Sequence, residues 1–224
     1  MDETPRITVT ADGPYLVTGG LPVVRRRIAY SEHGEPMTWE PEDAVDPPER
    51  VVLCRCGGSA AKPLCDGTHA TNGFDGATGA PSSSYDERSR TYEVTGMVMR
   101  DDRSICVHAG FCGNRLTNVW KMAKAGATAD SIARMQMMAM IERCPSGALT
   151  YRLEPDGPDV EASLRAEAVI VADGPIALTG GVVVEPPDGS TLEARNRQTL
   201  CRCGGSAKKP LCDGSHKKLD FHDG

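Results

Sequence analysis

Cysteine and histidine spacing constrains this chain more than any other feature. Six of its nine cysteines fall in two copies of one string. The first copy runs Cys54-Arg-Cys56-Gly-Gly-Ser59 and closes on Pro63-Leu-Cys65-Asp66-Gly67-Thr68-His69. The second runs Cys201-Arg-Cys203-Gly-Gly-Ser206 and closes on Pro210-Leu-Cys212-Asp213-Gly214-Ser215-His216. Both follow C-x-C-x8-C-x3-H. Three thiolates and one imidazole, placed twice at the same spacing, describe two four-donor sites for a soft or borderline metal: zinc, copper(I) or iron–sulfur. Spacing alone leaves these open, because three Cys and one His also suit tetrahedral zinc.

Composition agrees with small modules closed by metal. Aromatic residues make up 4 % of the 224 positions, against 24 Gly and 16 Pro, which favours turns over long helices. Gly-rich, aromatic-poor units rarely build a sufficient apolar core alone, and metal bound at a site absent from the unfolded chain contributes folding energy. The net charge of −6 argues against nucleic acid or an anionic membrane as the main partner. The short run Arg25-Arg26-Arg27 reads as a solvated strand edge or surface patch, with no apolar stretch after it to make an export signal. No apolar run approaches a membrane span. The sequence predicts a soluble cytoplasmic protein, where grouped cysteines are more often ligands than disulfides.

The repeat extends beyond the cysteines. Ile7 to Gly20 resembles Val169 to Gly181; each copy alternates apolar and polar residues and is broken at Asp-Gly-Pro and again at Gly-Gly. Each reads as two short strands around a turn. Ser31 to Glu49 is expected to be a surface loop, and Phe74 and Phe221, five residues past each histidine, to pack under the metal loops. Between the copies, Thr91 to Met99 is expected to be a strand. Asp130-Ser131 is expected to cap a helix through Ile132, Met135, Met138, Ala139 and Glu142, ending before Pro145. Its methionines read as core packing. His33 and His222 read as solvent-facing. Linkers at 81–84 and 154–159 divide the chain into segments 1–80, 81–155 and 156–224.

The strings Cys65-Asp66-Gly67-Thr68-His69 and Cys212-Asp213-Gly214-Ser215-His216, with the C-x-C-x2-S-x3-P before them, resemble the CDGSH iron–sulfur family, the mitoNEET-like proteins. The resemblance implies one [2Fe–2S] cluster held by Cys54, Cys56, Cys65 and His69, and a second by Cys201, Cys203, Cys212 and His216. It implies small β-rich units with a β-cap that normally pair, so two copies in one chain predict an intramolecular pseudo-dimer in a monomer. Asp66, Asp213, Ser59 and Ser206 are expected to support the ligands from behind. Thr68 keeps the hydroxyl of the usual Ser.

The remaining cysteines lie in Cys106-Val-His108-Ala109-Gly-Phe-Cys112 and Cys144-Pro145-Ser-Gly-Ala148-Leu. Bacterial ferredoxins use C-x2-C-x2-C with a distant Cys-Pro, and here the middle position is Ala109. The segment resembles single-cluster ferredoxins and the divergent 4Fe–4S domain found beside CDGSH motifs, which implies an inserted ferredoxin-like α+β domain. Three thiolates point to [3Fe–4S]. A [4Fe–4S] form needs a fourth ligand, with His108 or water available.

The expected fold class is therefore α+β, made of small β-rich metal-stabilised modules. The expected function is one-electron transfer, with a redox protein as partner. The alternatives are cluster storage or delivery to an apo-protein acceptor, and a structural zinc module. No nucleotide loop, paired-carboxylate signature or nucleophile–base motif points to an enzyme.

Overall fold

The computed structural model of the chain describes residues 4–42, 51–77 and 79–223. The alternating run at the N-terminus forms β1 (Arg6–Val9) and β2 (Tyr15–Thr18), antiparallel, with Ile7 opposite Val17. Ile7, Val9, Tyr15 and Val17 point inward, as period-two alternation requires. The chain continues through β3 (Val23–Tyr30), β4 (Pro36–Pro41) and β5 (Val51–Leu53), which leads into Cys54. In the second repeat β9 (Glu167–Val171) and β10 (Ile176–Thr179) make the matching pair, followed by β11 (Val183–Glu185) and β12 (Arg197–Leu200), which leads into Cys201. Asp12 and Asp173 take φ of 44° and 50° at the two Asp-Gly-Pro turns, where short polar side chains tolerate the left-handed region.

The halves exchange strands. One sheet has the order β11-β1-β2-β5 and the other β12-β10-β9-β3-β4. The second half's β11 lies parallel to β1, and the first half's β3 lies parallel to β9. One apolar core, including Ile7, Tyr15, Leu53, Ile170, Leu178 and Leu200, draws on both halves. Each such side chain contributes roughly 1.5–3 kcal/mol on burial.

Two expectations change here. Arg25, Arg26 and Arg27 lie on β3, a strand paired on both sides. Arg25 and Arg26 are flanked on both sides and not at an edge, whereas Arg27 pairs with β4 alone and is exposed, as the surface-patch alternative expects. Each faces a carboxylate: Glu42 at 3.4 Å, Glu167 at 2.8 Å and Glu40 at 2.9 Å. Within the expected loop 31–49, β4 pairs with β3, Trp39 opposite Ile28, so 36–41 is strand; residues 43–49 lie outside the described residues.

The middle segment opens with a four-residue helix, α1 (Tyr85–Arg88), whose N-cap Ser84 forms a capping box with Glu87. The expected strand at 91–99 is two strands, β6 (Arg90–Val94) and β7 (Met97–Asp101), because the chain turns at Gly96. With β8 (Leu149–Arg152) they form an antiparallel sheet covered by α2 (Val119–Lys124) and α3 (Ser131–Glu142). Asp130 caps α3, accepting from Ala133 N at 2.9 Å, as expected. Its inward positions are Met137 and Ile141; Ile132 and Met135 are exposed, so the core-packing reading holds for Met137 and fails for Met135. The fold is small, β-rich and α+β. Among the described residues no helix is long and apolar enough to cross a membrane.

Candidate metal centres

Each copy of the cysteine string folds the same way. Cys54 and Cys201 each follow the last residue of a strand, and their N–H groups donate to Pro63 O and Pro210 O at 2.8 Å. Cys65 N and Cys212 N donate back to Val52 O and Thr199 O at 2.9 Å. The chain thus doubles back and sets the Cys-Asp-Gly turn beside the C-x-C. Sγ of Cys54 and Cys56 stand 3.7 Å apart, as do those of Cys201 and Cys203. Cys65 Sγ lies 3.4 Å from His69 Nδ1, and Cys212 Sγ 3.5 Å from His216 Nδ1. Among the described residues no three such donors converge on a point one ion would occupy; they stand as pairs.

The expected supporting residues do bridge the loops. Ser59 Oγ donates to Leu64 O and Ser206 Oγ to Leu211 O, both at 2.7 Å. Asp66 accepts from Ala60 N at 2.8 Å and Thr68 N at 3.0 Å; Asp213 accepts from Ala207 N at 2.9 Å and Ser215 N at 3.0 Å. Those donors, with the Thr68 hydroxyl first among them, hold the Asp66 carboxyl well below the usual carboxylate range.

Burial shapes the donors' protonation. It pushes the Cys212 thiol up to about 12 and also raises Cys54. Cys203, receiving a hydrogen bond from the Cys201 thiol, falls to about 7. Burial, helped by Lys217 and Arg202, lowers His216 to about 4, so its ring is neutral and able to bind metal at ordinary pH. A metal centre bound here would displace the thiol protons, so loading releases protons and depends on pH.

Two functional residues escape the sequence reading: Arg55 and Arg202, the x of each C-x-C. Both are buried. Arg55 donates to Gly13 O and Thr10 O at 2.8 Å and to Gly76 O at 3.2 Å. Arg202 donates to Gly174 O at 2.8 Å and Val171 O at 2.7 Å, and pairs with Asp223 at 2.8 Å. Each guanidinium covers the expected phenylalanine, Phe74 at 5.0 Å and Phe221 at 5.3 Å, so these rings pack under arginine. The repeated Arg was the available signal. The two sites also meet: Cys56 and Cys203 pair as an antiparallel bridge. Tyr15, from the first half, donates to Cys201 O at 2.8 Å in the second.

In the middle segment a cavity of about 160 Å³ is lined by Cys106, Cys112 and Cys144 together, with His108 and Ala109 beside them. Burial raises the Cys112 thiol, and nearby Cys144 and Cys106 raise it further. His108 has φ 56°, and its N–H donates to Cys106 Sγ at 3.4 Å. Arg197 of β12 fixes the third cysteine. Its guanidinium donates to Ile141 O, Glu142 O and Cys144 O at 2.8–2.9 Å and to Leu149 O at 3.1 Å, and pairs with Glu161 at 2.8 Å. His33 and His222 are exposed, as expected.

A family model described as iron-binding zinc finger, CDGSH type, matches residues 12–70 and 173–217. One described as divergent 4Fe-4S mono-cluster matches residues 92–154. A search of curated proteins and a search of solved structures each returned no match. With its paired Cys and Cys/His donors, the chain is an iron–sulfur protein built of two CDGSH regions flanking a divergent 4Fe–4S mono-cluster domain.

Proposed function

We propose that the chain is a one-electron carrier. Cys54, Cys56, Cys65 and His69 hold one [2Fe–2S] cluster, Cys201, Cys203, Cys212 and His216 a second, and Cys106, Cys112 and Cys144 a [3Fe–4S] cluster. A [4Fe–4S] form takes its fourth ligand from His108 or water, at the gap left by Ala109. Bound clusters supply reversible one-electron chemistry, and imidazole in place of thiolate raises the potential. The observation that carries this reading is the pairing of donors, two Cys then Cys and His, since a single zinc ion gathers four donors about one point. Asp66 and Asp213 fix the histidine turns, and buried Arg55 and Arg202 hold positive charge beside the thiolates. The strand exchange supports reading the two halves as an intramolecular pseudo-dimer with the hairpins as its β-cap. Any net reaction belongs to a partner redox protein.

The purified protein should be red-brown, with roughly seven irons and eight sulfides per chain, or about eight of each with [4Fe–4S]. A colourless protein with stoichiometric zinc overturns the reading. His69→Cys and His216→Cys should each lower one potential, on the order of 100 mV, and flatten its pH dependence by removing a protonatable ligand. Voltammetry across pH checks this, and an unchanged slope refutes proton coupling.

A further inference from the structure

The two CDGSH sites share a motif and differ in what covers it. In the second copy the histidine turn lies under the middle segment. Lys217 Nζ donates to His108 O, and Lys208 Nζ to Ser104 O, both at 2.5 Å. A Cβ placed on Gly214 would stand 3.0 Å from Val107 O and 3.3 Å from the His108 ring. Cys212, Gly214 and His216 are buried. In the first copy the positions of those two lysines hold Ala61 and Ala70, both exposed. Among the described residues, a Cβ on Gly67, the counterpart of Gly214, would meet nothing within 4 Å. Cys65 and His69 are half-buried where their counterparts are buried.

We propose that the first copy's turn, centred on His69, is the face through which the chain meets an external redox protein, and that the second copy is an internal site serving the middle segment. This rests on the electron-carrier reading. The sites are contiguous: the middle segment touches the second copy through Val107 and His108, and the second touches the first through Cys203 and Cys56. The bare turn is made of small residues, Ala60, Ala61, Gly67 and Ala70, which let a partner's redox centre come close. Among the described residues its exposed charges are Asp66 and Asp75, while Lys62 is half-buried against Phe221 and Arg55 is buried. On a chain of net charge −6, that face suits a one-electron carrier with a basic surface. In the exchange one electron leaves the reduced chain and reduces the partner's centre by one; no bond forms or breaks.

The probe is ferric cytochrome c, a basic one-electron acceptor, mixed with dithionite-reduced protein. The rate constant should fall as salt rises. Ala61→Lys/Ala70→Lys, which gives the first copy the residues the second already carries, should slow the reaction on the order of ten-fold at low salt, with visible spectrum and iron content unchanged. An equal rate overturns the proposal. A second measurement follows cysteine alkylation by iodoacetamide as a chelator strips the loaded protein. Cys54, Cys56 and Cys65 should be labelled about ten-fold sooner than Cys201, Cys203 and Cys212. Equal labelling also overturns it. A zinc-loaded protein that reduces no cytochrome c refutes the carrier reading and with it the electron-accepting partner, while the labelling order still decides which copy is open.

Discussion

Replacing Arg197 with methionine should destabilise the chain by about 3–5 kcal/mol, the usual loss when one partner of a buried ion pair is removed. It should also alter the cluster we assign to Cys106, Cys112 and Cys144 more than those of the CDGSH sites. Arg197 is 5 % exposed and sits four residues before Cys201 on β12, yet its donors end in the middle segment. It takes the last carbonyls of α3, which no intrahelical N–H can satisfy, and places a full positive charge at the helix C-terminus. The same guanidinium holds Cys144 O. Methionine fills much of the volume and supplies none of the donors, so Glu161 loses its ion-pair partner and four carbonyls lose the guanidinium, although Ile141 O and Cys144 O keep the backbone donors Cys144 N and Gly147 N. Denaturant titration reads the stability, and low-temperature EPR reads the middle cluster separately. A variant with wild-type stability and an unchanged middle-cluster signal would show that Arg197 neither braces the domains nor sets Cys144.

The second large effect belongs to Gly57→Ala. Gly57 has φ 77°, and an added Cβ would lie 2.6 Å from Cys203 O. Gly204 is its mirror, with φ 76° and Cys56 O at 2.6 Å. Left-handed strain of about 1–2 kcal/mol and overpacking of about 1–3 kcal/mol give a loss of roughly 2–5 kcal/mol. Because the clashing carbonyl belongs to a donor of the other copy, iron should be lost from both CDGSH sites. Gly67→Ala is the control: φ is 90° but the space is open, so strain acts alone and only the first site should suffer. Iron content and thermal unfolding of the two variants distinguish these outcomes. Loss confined to the first site in Gly57→Ala would refute the mutual packing of the C-x-C loops.

Much of the site is legible in the sequence because its geometry is local. Cys65 and His69 come together across one turn, Asp66 reaches donors a few residues away, and Asp130 caps the helix that begins beside it. The Asp-Gly-Pro hairpins are legible for the same reason. What escapes depends on pairing between distant segments. Nothing in Val23–Tyr30 says that it lies beside Glu167–Val171 instead of a strand of its own half. Arg197 reads as an ordinary strand cation until α3 ends beside it. Arg55 and Arg202 are intermediate: their repetition is visible, but their burial over phenylalanine is not. Gly96 splits one expected strand into two because a single turn residue outweighs the apolar alternation around it.

The strand exchange also bears on how the protein is made. β1 leaves the ribosome with one edge bare and stays so until β11 is synthesised, after the whole middle segment. β3 waits in the same way for β9. The first copy's cysteines are therefore presented on a half-built sheet until β9 and β11 are made, and pairings this distant in sequence form slowly. Synthesis of β9 and β11 is the event that closes both sheets, so the two halves settle together.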